Sequence, residues 1–185
     1  MYTAVFGANV AIRPYRPSDL GPLFDAARES IEEVHPWLSW CHPELSRKEC
    51  MAFLQSREEA WSKGEDYSFA IVDAQTDRYL GGCSLNQVNR IHKFANLGYW
   101  VRTSCTGRGI ATAAVILAAR FGLEELGLNR IEIVSAAENR ASQRVAEKAG
   151  ARREGILRCR LITYGKALDA VLYSLTRQDM FFQAG

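Results

Sequence analysis

Gly98-Tyr99-Trp100-Val101-Arg102-Thr103-Ser104-Cys105-Thr106-Gly107-Arg108-Gly109-Ile110-Ala111-Thr112 is the stretch on which the reading of this chain turns. An extended segment, Phe94 to Val101, runs into a loop with two glycines, and the loop opens directly into an apolar helix. The first N–H groups of a helix have no intrahelical partner, and the helix dipole places roughly half a positive charge there. Glycine lets the backbone approach an anion with no side chain in the way. Together these features make a seat for a pyrophosphate. Two familiar phosphate motifs do not fit. A nucleotide P-loop needs Gly-x-x-x-x-Gly-Lys-Ser/Thr, and a dinucleotide fingerprint needs a third glycine where Thr112 stands. Taken alone, the segment also reads as a plain strand-to-helix turn that contains two glycines.

Upstream, the period is two. Tyr67, Phe69 and Ile71 alternate with Ser68, Ala70 and Val72, which predicts a strand. Tyr79 to Leu85 and Phe94 to Val101 are two more, with a polar connection at Asn89–Lys93, so the three form an antiparallel meander. Earlier still, Val10 to Arg13 reads as a short strand closed by Pro14 and Pro17. Leu20, Leu23, Phe24, Ala27 and Ile31 recur at helical spacing behind Ser18 as N-cap. His35-Pro36 interrupts that helix, and Trp37 to Trp40 form a short turn or helix. Ser46 and Glu49 have capping-box spacing and open a helix that runs to Lys63 and stops at Gly64.

Downstream, Ile110–Leu126 is apolar nearly all round and must lie buried against a sheet. Arg130–Ser135 is a strand, and Arg140–Ala149 a helix stopped by Gly150. Two strands, near Arg152–Arg158 and Leu168–Leu175, close the chain. The sum is an α+β fold around a central mixed sheet. No repeat or Gly/Ser linker divides it, so residues 1–185 read as one domain.

Composition narrows the function classes. With 48% apolar and 24% charged residues the 185-residue chain is an ordinary globular protein, not a disordered one. Lys and Arg total 23 against 21 Asp and Glu, a balance of +2 that argues against direct nucleic-acid binding. No run of about 18 apolar residues is present to span a membrane. The start, MYTAVFGANVAIRP, has no basic segment before an apolar core and is not read as a secretory signal. Cys41, Cys50, Cys83, Cys105 and Cys159 are scattered, and His35, His42 and His92 add no metal-ligand spacing. Reduced thiols, a cytoplasmic location and no metal are the expectation.

Thr106-Gly107-Arg108-Gly109-Ile110-Ala111 resembles the acetyl-CoA pyrophosphate loop of the GNAT acetyltransferase superfamily, Gln/Arg-x-x-Gly-x-Gly/Ala, with Thr106 departing from the first position. Leu97–Val101 is similar to that family's fourth strand. Further blocks follow the branch that contains the ribosomal-protein serine/alanine N-acetyltransferases: Glu138-Asn139-Arg140-Ala141-Ser142, Ala149-Gly150-Ala151 and Glu154-Gly155-Ile156-Leu157-Arg158. Gly165, Asp169 and Tyr173 match its closing block, and Pro36-Trp37-Leu38-x-Trp40 resembles its early helical region. The resemblance implies a GNAT-type mixed, mostly antiparallel sheet flanked by helices on both faces. It implies an acetyl-CoA-dependent N-acetyltransferase that moves an acetyl group to a protein N-terminal α-amine, of a ribosomal protein among others, or to a small amine. Acetyl-CoA and an amine acceptor are then the partners, and the chain is a monomer or homodimer.

The resemblance also implies roles. Backbone amides of Gly107, Arg108, Gly109, Ile110, Ala111 and Thr112, with Thr106 beside them, would hold the pyrophosphate. Trp100 and Val101 would meet the pantetheine arm, joined by Asn139, while Ser142 would hydrogen-bond the sulfur and stabilise or protonate the departing thiolate. Read on position alone, Asn139 is an N-cap and Ser142 ordinary surface. Arg102 and Arg108 are placed to screen the 3′-phosphate, with solvated surface charge as the simpler reading. Some relatives carry a glutamate after the Glu-Gly block, where Cys159-Arg160-Leu161-Ile162 has no carboxylate. An α-amine with pKa near 8 is about a tenth neutral at pH 7, a lysine in fewer than about one molecule in a thousand, so a site without a strong base favours α-amines or other low-pKa amines. Glu33 and His35 are candidate bases through water, Trp37 and Trp40 candidate walls of an acceptor pocket, and Asp169 a structural hydrogen-bonding group. Two other readings stand beside this one, a non-catalytic acyl-CoA-binding module and a nucleotide-binding regulator.

Overall fold

Alternation along the central strands sends apolar side chains to both faces of one sheet. In the computed structural model, which describes residues 4–181, that sheet has eight strands. They are β1 (Val5–Phe6), β2 (Val10–Pro14), β3 (Tyr67–Asp73), β4 (Tyr79–Asn89), β5 (Phe94–Val101), β6 (Arg130–Ala136), β7 (Arg152–Thr163) and β8 (Lys166–Thr176). Their spatial order is β1-β2-β3-β4-β5-β6-β8-β7, and only the β5–β6 pair is parallel. The predicted meander is β3-β4-β5. Residues 1–3 and 182–185 of the expected 1–185 domain, and the first residues of the N-terminal stretch, lie outside the described residues.

The helices are α1 (Leu20–Glu29), α2 (Ile31–Val34), α3 (Arg47–Lys63), α4 (Ile110–Arg120), α5 (Arg140–Lys148) and α6 (Arg177–Phe181). Ile12, Phe69, Ile71 and Leu85 pack with Ala114, Val115 and Ala118 of α4 in one core. On the other face Ala11, Ala70 and Val72 pack with Leu23, Ala26 and Ala27 of α1 and Cys50 of α3. Helices therefore cover both faces, as the GNAT-type expectation requires. Among the described residues no helix is long and apolar enough to cross a membrane.

Local chemistry set most boundaries. Ser46 Oγ accepts the Glu49 N–H at 3.3 Å while Glu49 Oε2 accepts the Ser46 N–H at 2.9 Å, and Gly64, at φ 64°, ends α3. Ser18 is not the cap of α1: it lies inside a 3-10 turn, Pro17–Asp19. The buried Asp19 carboxylate turns back to the Arg16 N–H (2.8 Å) and the Arg13 guanidinium (2.8 and 2.9 Å), so an ion pair sets that start. The long apolar helix stops being α-helical at Arg120 and continues as a wider turn, Phe121–Glu125. Gly122 sits where a Cβ would come within 2.7 Å of Ile131 and 2.9 Å of Leu85, so the helix seats closely on the sheet there. β7 and β8 run longer than predicted because a bulge at Cys159 (φ 50°) is held by Asp169, whose Oδ1 accepts the Cys159 N–H at 2.8 Å. That is the structural role expected of Asp169.

Candidate active site

β5 and β6 pair only through Phe94–Asn96 and Arg130–Glu132. Beyond those residues β5 stays with β4 and β6 with β8, so a gap opens in mid-sheet. The Arg102 N–H donates to Leu80 O at 2.9 Å. By the two-residue alternation of an antiparallel ladder, the amides of Tyr99 and Val101 point the other way, into the gap. The gap is the inner end of a groove of about 600 Å³ whose walls include Val101, Ile133, Ser135, Asn139 and Ser142, and whose outer end is the glycine loop.

At that outer end the N-cap of α4 is Gly109, in the left-handed region at φ 76°, and no side chain caps the helix. The first backbone bond of the helix is Ala113 N–H to Gly109 O at 3.0 Å. Among the described residues, the six amides from Gly107 to Thr112 have no protein partner. A Cβ built on Gly107 (φ 75°) or Gly109 would meet nothing within 4 Å, so the space above the amides is open. Six unpaired N–H groups at the positive end of a helix dipole can receive an anion.

The loop is fastened from below by α1 and α2. Glu29 accepts the Arg102 guanidinium (Nε at 3.1 Å) and the Ser104 N–H (2.7 Å). Thr103 donates its N–H to Ser30 Oγ (3.0 Å) and its hydroxyl to Glu33 Oε2 (2.8 Å), while Thr106 Oγ1 turns to Thr103 O (2.9 Å). Hydrogen bonds from Arg102 and then Ser104 hold the Glu29 carboxyl at about 2, well below 4.5. Arg102 is thus committed to Glu29 rather than turned to the loop's outer face, where Arg108 is exposed. Because the folded state depresses this pKa, the pair stabilises the protein above pH 4.5, and that stability fades as pH falls toward 2. Glu29→Gln is expected to cost about 1 kcal/mol at neutral pH, given the partial exposure of both partners. Thermal melts of the variant and wild type across that pH window check it, since the difference must shrink toward the acid end.

Ser142 lies on the first turn of α5. Asn139 caps this helix, its Oδ1 accepting the Ser142 N–H at 3.0 Å, so the N-cap reading holds for that atom. The Asn139 Nδ2 group makes no protein hydrogen bond among the described residues and lines the groove. Tyr99, from the strand opposite, donates to Ser142 O at 2.9 Å, and its hydroxyl lies 3.0 Å from Ser142 Oγ. Burial pushes the Tyr99 phenol up to about 12, so it stays protonated.

The other expected residues are distributed differently. Glu33, Trp37, Trp100, Val101, Thr106, Gly107, Gly109, Ile110, Ala111 and Thr112 all line the groove. Arg108 and His35 do not; His35 is turned to the β7–β8 hairpin, where the Tyr164 hydroxyl lies 2.7 Å from Nδ1 and donates to His35 O at 2.8 Å. Trp40 leaves the groove for a second cavity of about 470 Å³ on the opposite sheet face, where it meets the Trp100 ring edge-on at 5.3 Å. Sequence reasoning missed Tyr99 as a side chain, Glu29 as the loop's anchor, and the second cavity altogether. Strand alternation signals Tyr99, since it must face away from Trp100; nothing local announces Glu29, which is 73 residues from Arg102. Among the described residues no group of His, Cys, Asp and Glu is arranged to hold a metal ion.

Comparison with known proteins bears on this arrangement. Residues 9–152 match the family model described as the acetyltransferase (GNAT) domain. YdaF of Bacillus subtilis (strain 168), provisionally named a ribosomal N-acetyltransferase, is 28% identical over 182 residues, 97% of each chain. YjcK of the same organism, provisionally named an N-acetyltransferase, is 41% identical over 102 residues, 55% of this chain and 56% of its own. The solved structure of Mycobacterium smegmatis RimJ in complex with CoA-disulfide superposes with a TM-score of 0.84 at 25% identity, covering 92% of this chain and 83% of that one. With the family model spanning most of the chain and the groove built as described, this chain belongs to the GNAT acetyltransferase family and is an N-acetyltransferase.

Proposed function

We propose that this chain, acting as one acetyltransferase domain over its whole length, takes acetyl-CoA into the β5–β6 gap and transfers the acetyl group directly to a primary amine. The observation that carries the reading is the row of six unpartnered amides, Gly107 to Thr112, at the head of the gap. A diphosphate fits there on charge, on donor number and on open space. The unpaired amides of Tyr99 and Val101 suit an extended amide arm lying in the gap as an added strand, and a backbone N–H there suits the developing oxyanion. Asn139 Nδ2 is a further donor along that path. Acetyl-CoA supplies an activated thioester; the chain's own residues orient it, exclude water and manage the protons.

Ser142 is the group we assign to the departing sulfur. Tyr99 has one proton, and with that proton on Ser142 O the serine hydroxyl can donate its own elsewhere. The acceptor reading is an α-amine, at a polypeptide N-terminus such as a ribosomal protein's or on a small molecule. Such an amine arrives partly neutral, and Glu33, the one carboxylate of the groove wall among the described residues, is held by Thr103 and acts through water. Titration calorimetry with acetyl-CoA, followed by thiol release in the presence of amines and N-terminal peptides, tests this. Binding with turnover supports it. Absence of heat from acetyl-CoA, or protection against unfolding by ATP or NAD in its place, overturns it.

A further inference from the structure

We infer that the second cavity receives an uncharged, apolar group borne beside the acceptor amine, as on a leucyl or phenylalanyl α-amine, and that Gly98 is the passage by which the amine reaches the groove. This rests on the acetyl-transfer reading above. The cavity lies beneath α1, α3 and the turn before α3, on the face away from α4. Its volume of about 470 Å³ falls within the range, roughly 300–1,000 Å³, of pockets that enclose small molecules. An alanine or serine side chain would leave most of it empty. Its walls are chiefly Leu23, Leu38, Leu45, Phe53, Trp40 and Trp100.

The charged side chains in those walls already have hydrogen-bonding partners within the protein. Arg57 lies 3.4 Å from Asp66 and donates to Ser68 Oγ at 3.1 Å. His42 Nε2 meets Glu49 at 3.1 Å, and Glu49 also serves the Ser46 cap. Asp66 is tied to Arg57, and both oxygens of Glu49 are engaged by His42 and Ser46, so a second ammonium of a polyamine or amino sugar would have to displace those bonds to find a partner. The cavity selects for apolar bulk.

Gly98 joins the two spaces. Cavity and groove share Leu38, Asn86, Gly98, Tyr99 and Trp100. Because Tyr99 points toward α5, position 98 points to the cavity side. A Cβ on Gly98 would meet only Asn86 Nδ2, at an ordinary 3.7 Å, and the residue has no positive φ. Packing does demand a glycine at Gly82, where a Cβ would come within 2.4 Å of the Tyr15 hydroxyl and 2.9 Å of Trp100 Nε1. At Gly98 the fold asks for none, so the missing side chain serves the opening.

The test uses the full chain with saturating acetyl-CoA and measures CoA release. The acceptors are the amides of phenylalanine, leucine, alanine and serine, hexapeptides beginning with the same residues, and spermidine. Phenylalanyl and leucyl acceptors are expected to exceed alanyl and seryl ones in kcat/KM by about 10- to 100-fold, with spermidine below all of them. Turnover of amides alone identifies a small-molecule acceptor, and turnover of peptides a polypeptide one; either supports the inference. Gly98→Leu is expected to keep the acetyl-CoA dissociation constant within about threefold by calorimetry and to cut kcat/KM for the phenylalanyl acceptor by about 100-fold, with Gly98→Ala between it and wild type. Equal or better use of alanyl, seryl or spermidine acceptors overturns the inference and leaves acetyl transfer standing. So does undiminished phenylalanyl turnover by Gly98→Leu. Absence of CoA release with every acceptor overturns both readings.

Discussion

Gly109→Asp is expected to weaken acetyl-CoA binding by about 100-fold or more while moving the melting temperature by only a few degrees. Aspartate is among the best N-caps, and at this position its carboxylate accepts the amides of the first turn of α4 that are now unpartnered. It also sets a negative charge where the diphosphate would sit. Losing two charge-assisted hydrogen bonds at roughly 1.5 kcal/mol each amounts to about 3 kcal/mol, or about two decades in affinity. Stability responds little, because opposing terms meet. A side chain at φ 76° costs about 1–2 kcal/mol, and a good cap returns about 1 kcal/mol. Calorimetry and a thermal melt on the same preparation read both quantities. Affinity equal to wild type would move the diphosphate away from these amides.

Ser142→Ala is expected to lower kcat by about 100-fold and to change acetyl-CoA affinity by less than about threefold. Proton transfer to a leaving group by a positioned side chain contributes about 10²–10⁴-fold, whereas on the proposed reading the cofactor is held mainly by the loop amides. Removing Oγ leaves the Asn139 cap and the Tyr99 bond to Ser142 O in place, because both use the main chain of residue 142. Tyr99→Phe acts through Ser142 as a positioning change and should cost kcat less, about 10-fold, while leaving KM for acetyl-CoA in place. Steady-state kinetics that separate kcat from KM check both. A wild-type kcat for Ser142→Ala would remove the serine from proton transfer.

What the sequence made legible is what is encoded locally. The meander, the capping box at Ser46, the stop at Gly64 and the strand–glycine loop–apolar helix unit all rest on neighbours within a few residues, and the fold carries each of them. The row of amides without protein partners at the head of α4 was legible for the same reason, since it is made of backbone. Features set across the fold were hidden. Asp19, rather than Ser18, fixes the start of α1 because Arg13 is brought beside it and both are buried. Glu29 anchors the glycine loop only after α1 packs against β4 and the turn that follows β5. The parting of Trp37 and Trp40 between two spaces depends on how one turn drapes over the sheet, which no periodicity records.

The brief contact between β5 and β6 divides the sheet into two panels, one built from β1 to β5 and the other from β6 to β8, with a three-residue seam between them. Backbone bonding across a seam that short contributes little cohesion, and the helices bridge it indirectly: α4 packs on β2, β4 and β5 of the first panel and on α5, which rests on β6 and β7 of the second. Whatever occupies the cleft therefore acts as mortar between two half-sheets. Deuterium uptake at the amides of Tyr99 and Val101, fast with the seam open, should slow when the cleft is filled.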